Sequence, residues 1–291
     1  MDLFAVSVVG GLSLGATYAL VTLGLVLAFR ATDVLNFSHG QFMLLAAYMI
    51  AVGQAETDLP FPILAIGAIV VTGLAGVFLY RTILRRLIGL PHFIPVIATL
   101  GFASIADGVL SLVFGTQYNV VDIPGLPTGF FDLFGARFSV EPIITAVIGY
   151  AIALAVAGVL FFSDLGLRVR AAGQAPLLAA QGGIKVNRIY YGSWAVAAGL
   201  AGIAGISYAN SSLATPAMTE VALLAFPAML LGGMDSIGGA LIGGAIIGLL
   251  QGFVATYLGG EFVNVVTYMV LIAVMLLLPE GIFGTRKVSR V

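Results

Sequence analysis

Cysteine is absent from this chain, which excludes disulfides, thiolate metal sites and a cysteine nucleophile. Charge is scarce: 9% of residues are charged, against about 25% in an ordinary soluble domain. With 60% hydrophobic residues over 291 positions, there is too little charge to cover a water-facing surface, so the expected solvent is a lipid bilayer. There is no basic patch interleaved with aromatics, and nucleic acid is not an expected partner. Phosphate loops, nucleophile elbows and metal-ligand spacings are missing too. No catalytic residue, metal or cofactor is therefore expected, and the chain reads as a non-enzyme. The opening Met1-Asp2-Leu3-Phe4 has no basic stretch, and the apolar run behind it is too long for a cleaved signal peptide. It reads as a first span.

What is present is a series of apolar runs. A spanning helix needs roughly 20 mainly apolar residues. Windows free of Asp, Glu, Lys and Arg cover 3–29, 34–55, 59–80, 87–106 (extending past Asp107 to about Gly115), 142–163, 189–219, 236–260 and 262–278, and 221–234 is a shorter one. These predict about eight spans plus one short or re-entrant segment, in a single transmembrane domain over 1–291. The runs are continuously apolar, not alternating, so the expected fold class is an all-α polytopic bundle rather than a barrel.

The cations test the orientation. Of the 12 basic residues, Arg81, Arg85 and Arg86 share one loop, Arg168, Arg170, Lys185 and Arg188 another, and Arg286, Lys287 and Arg290 the tail. Basic residues in short loops stay cytoplasmic, so all three places should lie on that side. That parity requires the short 221–234 segment to cross, and it places the N-terminus outside and the C-terminus in the cytoplasm. The segments 55–59, 116–140 and 210–220 then face outward, with Arg137 their one cation. The 38 glycines include Gly239-x-x-x-Gly243, Gly244-x-x-x-Gly248 and the series Gly199, Gly202, Gly205. Such spacing serves close helix packing within this subunit or between subunits. Trp194 with Tyr190 and Tyr191 fits an interfacial aromatic belt.

Polar residues interrupt the apolar pattern at 30–41. This stretch is either an ordinary cytoplasmic turn or a broken helix, with Asn36, Ser38 and His39 lining a cavity and Gly40 letting the backbone open. A second interruption, Phe226 to Gly239, combines Pro227, glycines and Asp235. Paired breaks of this kind point to a transport site. Asp107 lies within a span, where an ionisable group is a functional candidate; the alternative is a carboxylate capped by Ser104 or Ser111. His92 reads as an interfacial residue. Between the fifth and sixth long runs, residues 164–188 form a polar, basic loop. In it Pro176 suits a helix start, Leu177 to Ala180 a turn or two, and Gly182-Gly183 a stop. An apolar mini-helix in such a loop needs a partner surface.

Gly11 to Leu20 followed by Asp33-Val34-Leu35-Asn36-Phe37-Ser38-His39-Gly40-Gln41-Phe42 resembles the N-terminal signature of inner-membrane permeases of branched-chain amino acid ABC transporters, the LivH type. The loop is similar to that family's ATPase-docking loop at Gly166, Arg170, Ala171, Gln174, Pro176, Ala179, Gly183 and Ile184. Leu231 to Ala240 and Leu278 to Gly284 match as well, so the likeness runs nearly end to end. It implies a homologous second permease subunit, two cytoplasmic ABC ATPases, an extracytoplasmic substrate-binding protein and a prokaryotic inner membrane. It also implies that the mini-helix enters a groove on an ATPase, with Arg168, Arg170, Lys185 and Arg188 at the rim, and that Asn36 to Gly40 belong to the substrate pathway. The chain departs from the pattern at Leu177, where many relatives carry an acidic residue, and at Gly182, where a large aliphatic is usual. Two other readings use the same residues: a same-fold ABC permease for urea or short amides, and an ion-coupled secondary transporter with Asp107 and Asp235 as coupling groups.

Overall fold

The computed structural model describes residues 2–117, 119–127, 129–133 and 136–285; the tail cations Arg286, Lys287 and Arg290 lie outside them. The helices are α1 (Asp2–Thr32), α2 (His39–Glu56), α3 (Phe61–Thr82), α4 (Phe93–Phe114), α5 (Val140–Phe162), α6 (Asp164–Gln174), α7 (Pro176–Gln181), α8 (Val186–Ser211), α9 (Thr219–Leu224), α10 (Phe226–Gly232), α11 (Ile237–Tyr257) and α12 (Phe262–Leu277). A hairpin of β1 (Phe130–Leu133) and β2 (Ala136–Ser139) precedes α5, with Phe131 opposite Phe138 and Asp132 opposite Arg137. This hairpin is absent from the sequence expectation. Arg137, the cation of that loop, stacks over the Phe130 ring at 4.7 Å.

α1 is the spine. Its 31 residues span about 46 Å at about 1.5 Å per residue. Gly11, Gly15 and Ala19 meet Gly252, Gly248 and Gly244 of α11 in antiparallel order, so that a Cβ at Gly248 would strike the backbones of Gly11 and Gly15. Gly239 and Gly243 press on Gly232 and Ala228 of α10 in the same way. Of the two readings of these glycine series, packing within the subunit is the one observed. On the other side α8 is embraced by α1, α2 and α3: Gly205 meets the Met43 backbone, Gly202 meets Ala46 and Thr72, and a Cβ at Gly76 would strike Trp194 and Ala198. Without side chains at these points, backbones approach closely enough to gain packing that lipid cannot supply.

Among the described residues, six helices are long and apolar enough to cross a membrane: α1, α3 with its 3-10 extension to Arg86, α4, α5, α8 and α11. The other apolar windows yield shorter helices. The window 34–55 gives up Val34 to Ser38 to irregular backbone, leaving 18 residues in α2, and α12 has 16. The window 189–219 ends as a helix at Ser211, after which the chain bends into a 3-10 turn at Pro216–Met218 before α9. Proline starts explain the pieces: Pro216 and Pro227 each sit in the first turn of their element, where a missing N–H costs nothing. Trp194 does not join an interfacial belt. It is fully buried, donates to Thr32 Oγ1 at 3.3 Å and packs against Tyr80; its indole serves the α1–α3–α8 junction instead.

Gly248→Leu should therefore uncouple α1 from α11 by more than the roughly 1–3 kcal/mol usual for overpacking, because backbone blocks the new side chain. Gly10→Ala, which meets nothing within 4 Å, should be neutral. Thermal unfolding of the two variants in detergent measures the difference.

Candidate functional site

The α1–α2 junction combines a tight turn with a stretch of buried irregular backbone. Asp33 turns the chain with φ of 57°, and Val34 to Ser38 then run as non-helical backbone that is largely buried among the helices. The segment climbs back beside α1, for His39 reaches Gly24, two turns above the end of α1. Its polar groups find partners. Thr99 Oγ1 of α4 accepts the Phe37 N–H at 3.2 Å and lies 3.3 Å from the Leu35 carbonyl. Asn36 Oδ1 accepts the Ser38 N–H at 3.1 Å and the Ser38 hydroxyl at 2.6 Å. Phe37 stacks on Phe226 of α10 at 4.6 Å, which brings the two sequence interruptions together. Gly40 makes the closest approach: a Cβ there would collide with Thr219, the first residue of α9.

Asn36, Ser38 and His39 are inaccessible to solvent. The Asn36 amide meets His39 Nδ1 at 3.3 Å; since Asn36 Oδ1 is occupied as an acceptor, its Nδ2 donates and the His39 proton belongs on Nε2. That Nε2 is buried without a hydrogen-bond partner. Two residues on, Gln41 Nε2 donates to both Asp107 carboxylate oxygens at 3.1 and 3.2 Å, while Gln41 Oε1 is buried without a partner. The cap on Asp107 is thus Gln41, in place of Ser104, whose hydroxyl is turned to the Leu100 carbonyl. One orphaned donor and one orphaned acceptor share the first turn of α2, each at a cost of about 1–3 kcal/mol. Buried polar atoms left unpaired in this way call for a functional explanation.

Asp235 belongs elsewhere. It accepts the Thr285 N–H at 3.1 Å and the Thr285 hydroxyl at the α10–α11 turn, within electrostatic reach of Arg30. Arg30 also feels Arg170 of α6, so Asp235 and Arg170 both lie near the end of α1. His92 pairs with Asp33 at 3.5 Å in an exposed position.

The loop 164–188 holds two helices where the sequence predicts one. α6 buries Gly166, Val169 and Ala172 at helical spacing, inside a stretch whose charged residues make it read as a polar loop. A Cβ at Gly166 would strike the Leu160 carbonyl, and one at Gly173 the Arg30 carbonyl. Tyr190 OH donates to the Ala172 carbonyl at 3.0 Å. Together these contacts clamp α6 to the ends of α5, α1 and α8. α7 opens with Pro176 in its first turn and buries Ala179. It ends in a Schellman cap, in which Ile184 N–H reaches the Ala179 carbonyl and Gly183 N–H the Ala180 carbonyl, with Gly183 at φ 83°. Leu177 and Leu178 project outward, 81% and 68% exposed. Arg168 and Gln174 are exposed, Arg170 and Ala171 half-buried. Sequence reasoning missed Arg30, Gly173 and Tyr190 as anchors; only their long-range contacts mark them.

These features define a polytopic membrane protein with a buried helix break and a rigidly mounted apolar mini-helix, the attributes of a permease. The profile of the family described as "Branched-chain amino acid transport system / permease component" matches residues 7–278, and the chain belongs to that family. It is 27% identical to the high-affinity branched-chain amino acid transport system permease protein LivH of Escherichia coli strain K12, covering 97% of this chain and 96% of the relative. It is 28% identical to BraD of Pseudomonas aeruginosa over 97% and 96% of the two chains. A probable LivH of Methanocaldococcus jannaschii is 29% identical, over 93% and 90%. Among solved structures, a chain of PsaBC from Streptococcus pneumoniae in complex with Fab superposes with a TM-score of 0.52 at 13% identity, over 96% of this chain and 93% of that one; it shares the fold.

Gly183→Ala should destabilise the α7 cap by about 1–2 kcal/mol, because a Cβ disfavours the left-handed conformation. Hydrogen–deuterium exchange should then quicken at residues 179–184 while α8 remains protected. Unchanged exchange would show that the cap does not hold α7.

Proposed function

We propose that the chain is the membrane-spanning subunit of an ABC importer for branched-chain amino acids, and that it works beside a homologous permease, two cytoplasmic ATPases and an extracytoplasmic binding protein. The observation that carries this reading is α7. Its two leucines face outward from a helix joined directly to α6, which is clamped to the ends of α1, α5 and α8. An apolar pair of this kind suits a groove on a partner, and a push on α7 passes through Gly173 to the end of α1 and through Tyr190 to α8. Arg170, Gln174, Pro176 and Ile184 frame the contact.

The chain then crosses the bilayer nine times, counting α9 and α10 together as one broken crossing, with the N-terminus outside and α7 in the cytoplasm. The basic loops at 81–86 and 164–188 share a side in this scheme. The whole of 1–291 forms one domain. The pathway runs past the start of α2. There His39 Nε2–H can answer a carboxylate and Gln41 Oε1 an ammonium, the two charged ends of an amino acid. Phe37 and Phe226 offer an apolar surface for its side chain. Asn36, Ser38 and Gly40 hold this segment in place, and Asp107 steers Gln41.

Leu178→Glu should leave assembly of the bundle intact, since the side chain is exposed, and abolish ligand-stimulated ATP hydrolysis in the reconstituted complex. Normal coupling in this variant would remove α7 from the ATPase interface. His39→Phe should cut uptake of a branched-chain amino acid in proteoliposomes while ATPase docking, read by co-purification, is unchanged. Full uptake would return the α2 start to a purely structural role.

A further inference from the structure

At the α7 end of the bundle an apolar crevice of about 380 Å³ opens between α5, α6 and α8, with Leu27 of α1 at its back. Val156, Leu160, Val169 and Val196 line it. Along α8 it continues into a second apolar groove beside α3, the two sharing Val156 and Val196. At its mouth it meets a polar cavity of about 580 Å³, the two sharing Arg188 and Ile189. Arg168, Lys185 and Arg188 line that mouth against a single carboxylate, Asp164. Among the described residues none of the three cations is in an ion pair. Around the crevice Val159, Phe162, Leu165 and Val196 are exposed apolar side chains, as a surface in contact with acyl chains requires. Inside the crevice lies Ser193, whose Oγ is buried and lacks a hydrogen-bond partner. It follows Arg188 by five residues, about 7.5 Å along the helix at about 1.5 Å per residue.

We propose that this crevice is a binding site for one anionic glycerophospholipid of the adjacent leaflet. Its phosphate rests on Arg188, Lys185 and Arg168, and its ester oxygens reach the Ser193 hydroxyl one step deeper. One acyl chain lies in the trough along α8 between α5 and α6. Three requirements meet here: excess positive charge at the membrane surface, a polar hydrogen available at the depth of the ester groups, and an apolar trough leading away from both. The helix of a partner permease would fill the trough and leave the cations at the mouth unanswered; the charge decides for lipid. A bound lipid ties α6 to α8 directly beside α7, so it stiffens the segment through which coupling is proposed to pass. This inference rests on the membrane placement in the reading above, because the crevice must open at the level of headgroups.

The test is native mass spectrometry of the full-length permease released from detergent after incubation with equal amounts of phosphatidylglycerol and phosphatidylethanolamine of the same chains. Wild type should retain the phosphatidylglycerol preferentially. Lys185→Gln with Arg188→Gln should weaken that retention on the order of thirty-fold, from about 1 kcal/mol for each cation near the surface. Val159→Trp, at an exposed position facing the crevice, should displace the lipid while every cation remains, and a thermal unfolding midpoint near wild type shows that both variants fold. Equal retention of the two lipids by wild type overturns the proposal, as does unchanged retention in the variants. So does an efficient disulfide between Val196→Cys and a cysteine on a second permease subunit. Lipid retention is read on the permease alone, whereas uptake and ATP hydrolysis are read on the complex. Retained phosphatidylglycerol in a chain that supports no uptake would uphold the lipid site and discard the transport reading.

Discussion

The contact between α1 and α11, made through glycine on both helices, is what the remaining architecture depends on. Lipid offers no hydrophobic drive for two apolar helices to meet, so they associate only where backbones come close enough for dense dispersion contacts. Gly11 and Gly15 on one helix and Gly244, Gly248 and Gly252 on the other provide that approach. Once α1 is fixed, three further contacts are placed along its length. Its N-terminal half holds α11, Gly24 receives His39, and its last turn abuts Gly173 of α6. The helix break and the mini-helix therefore share one rigid rod.

The irregular backbone at Val34 to Ser38 follows from a second constraint. Where water is scarce, an N–H or C=O that leaves a helix must be answered by protein. Thr99 takes the Phe37 N–H, and Asn36 takes that of Ser38, which answers two of the groups the break frees. The two orphaned side-chain atoms, His39 Nε2 and Gln41 Oε1, lie in the first turn of α2, immediately beyond this stretch.

Much of this was legible in the residues. Pro176 and Gly183 mark the ends of α7 because each encodes a backbone preference that needs no tertiary partner: a fixed φ at the start and a left-handed turn at the stop. The same locality makes Pro216 and Pro227 readable as breaks. α6 was hidden because Asp164, Arg168 and Arg170 break its apolar run, so the segment reads as a polar loop although Gly166, Val169 and Ala172 recur on one buried face. The hairpin before α5 was equally hidden, since four-residue strands leave little pattern. Trp194 misleads for a different reason: its indole N–H suits a wet interface, but Thr32 offers the same hydrogen bond inside the bundle.

The sequence by itself determined the solvent, the helical class, the places where apolar runs are interrupted and the basic character of the α6–α7 segment, because composition and local preference act residue by residue. Only the tertiary structure decided that Phe37 meets Phe226, that Gln41 caps Asp107, and that Asp235 comes within electrostatic reach of Arg30. It alone set the cations at 168, 185 and 188 around the mouth of an apolar trough. Such pairings join positions tens to hundreds of residues apart, and which helix faces which depends on where glycine lets two backbones approach.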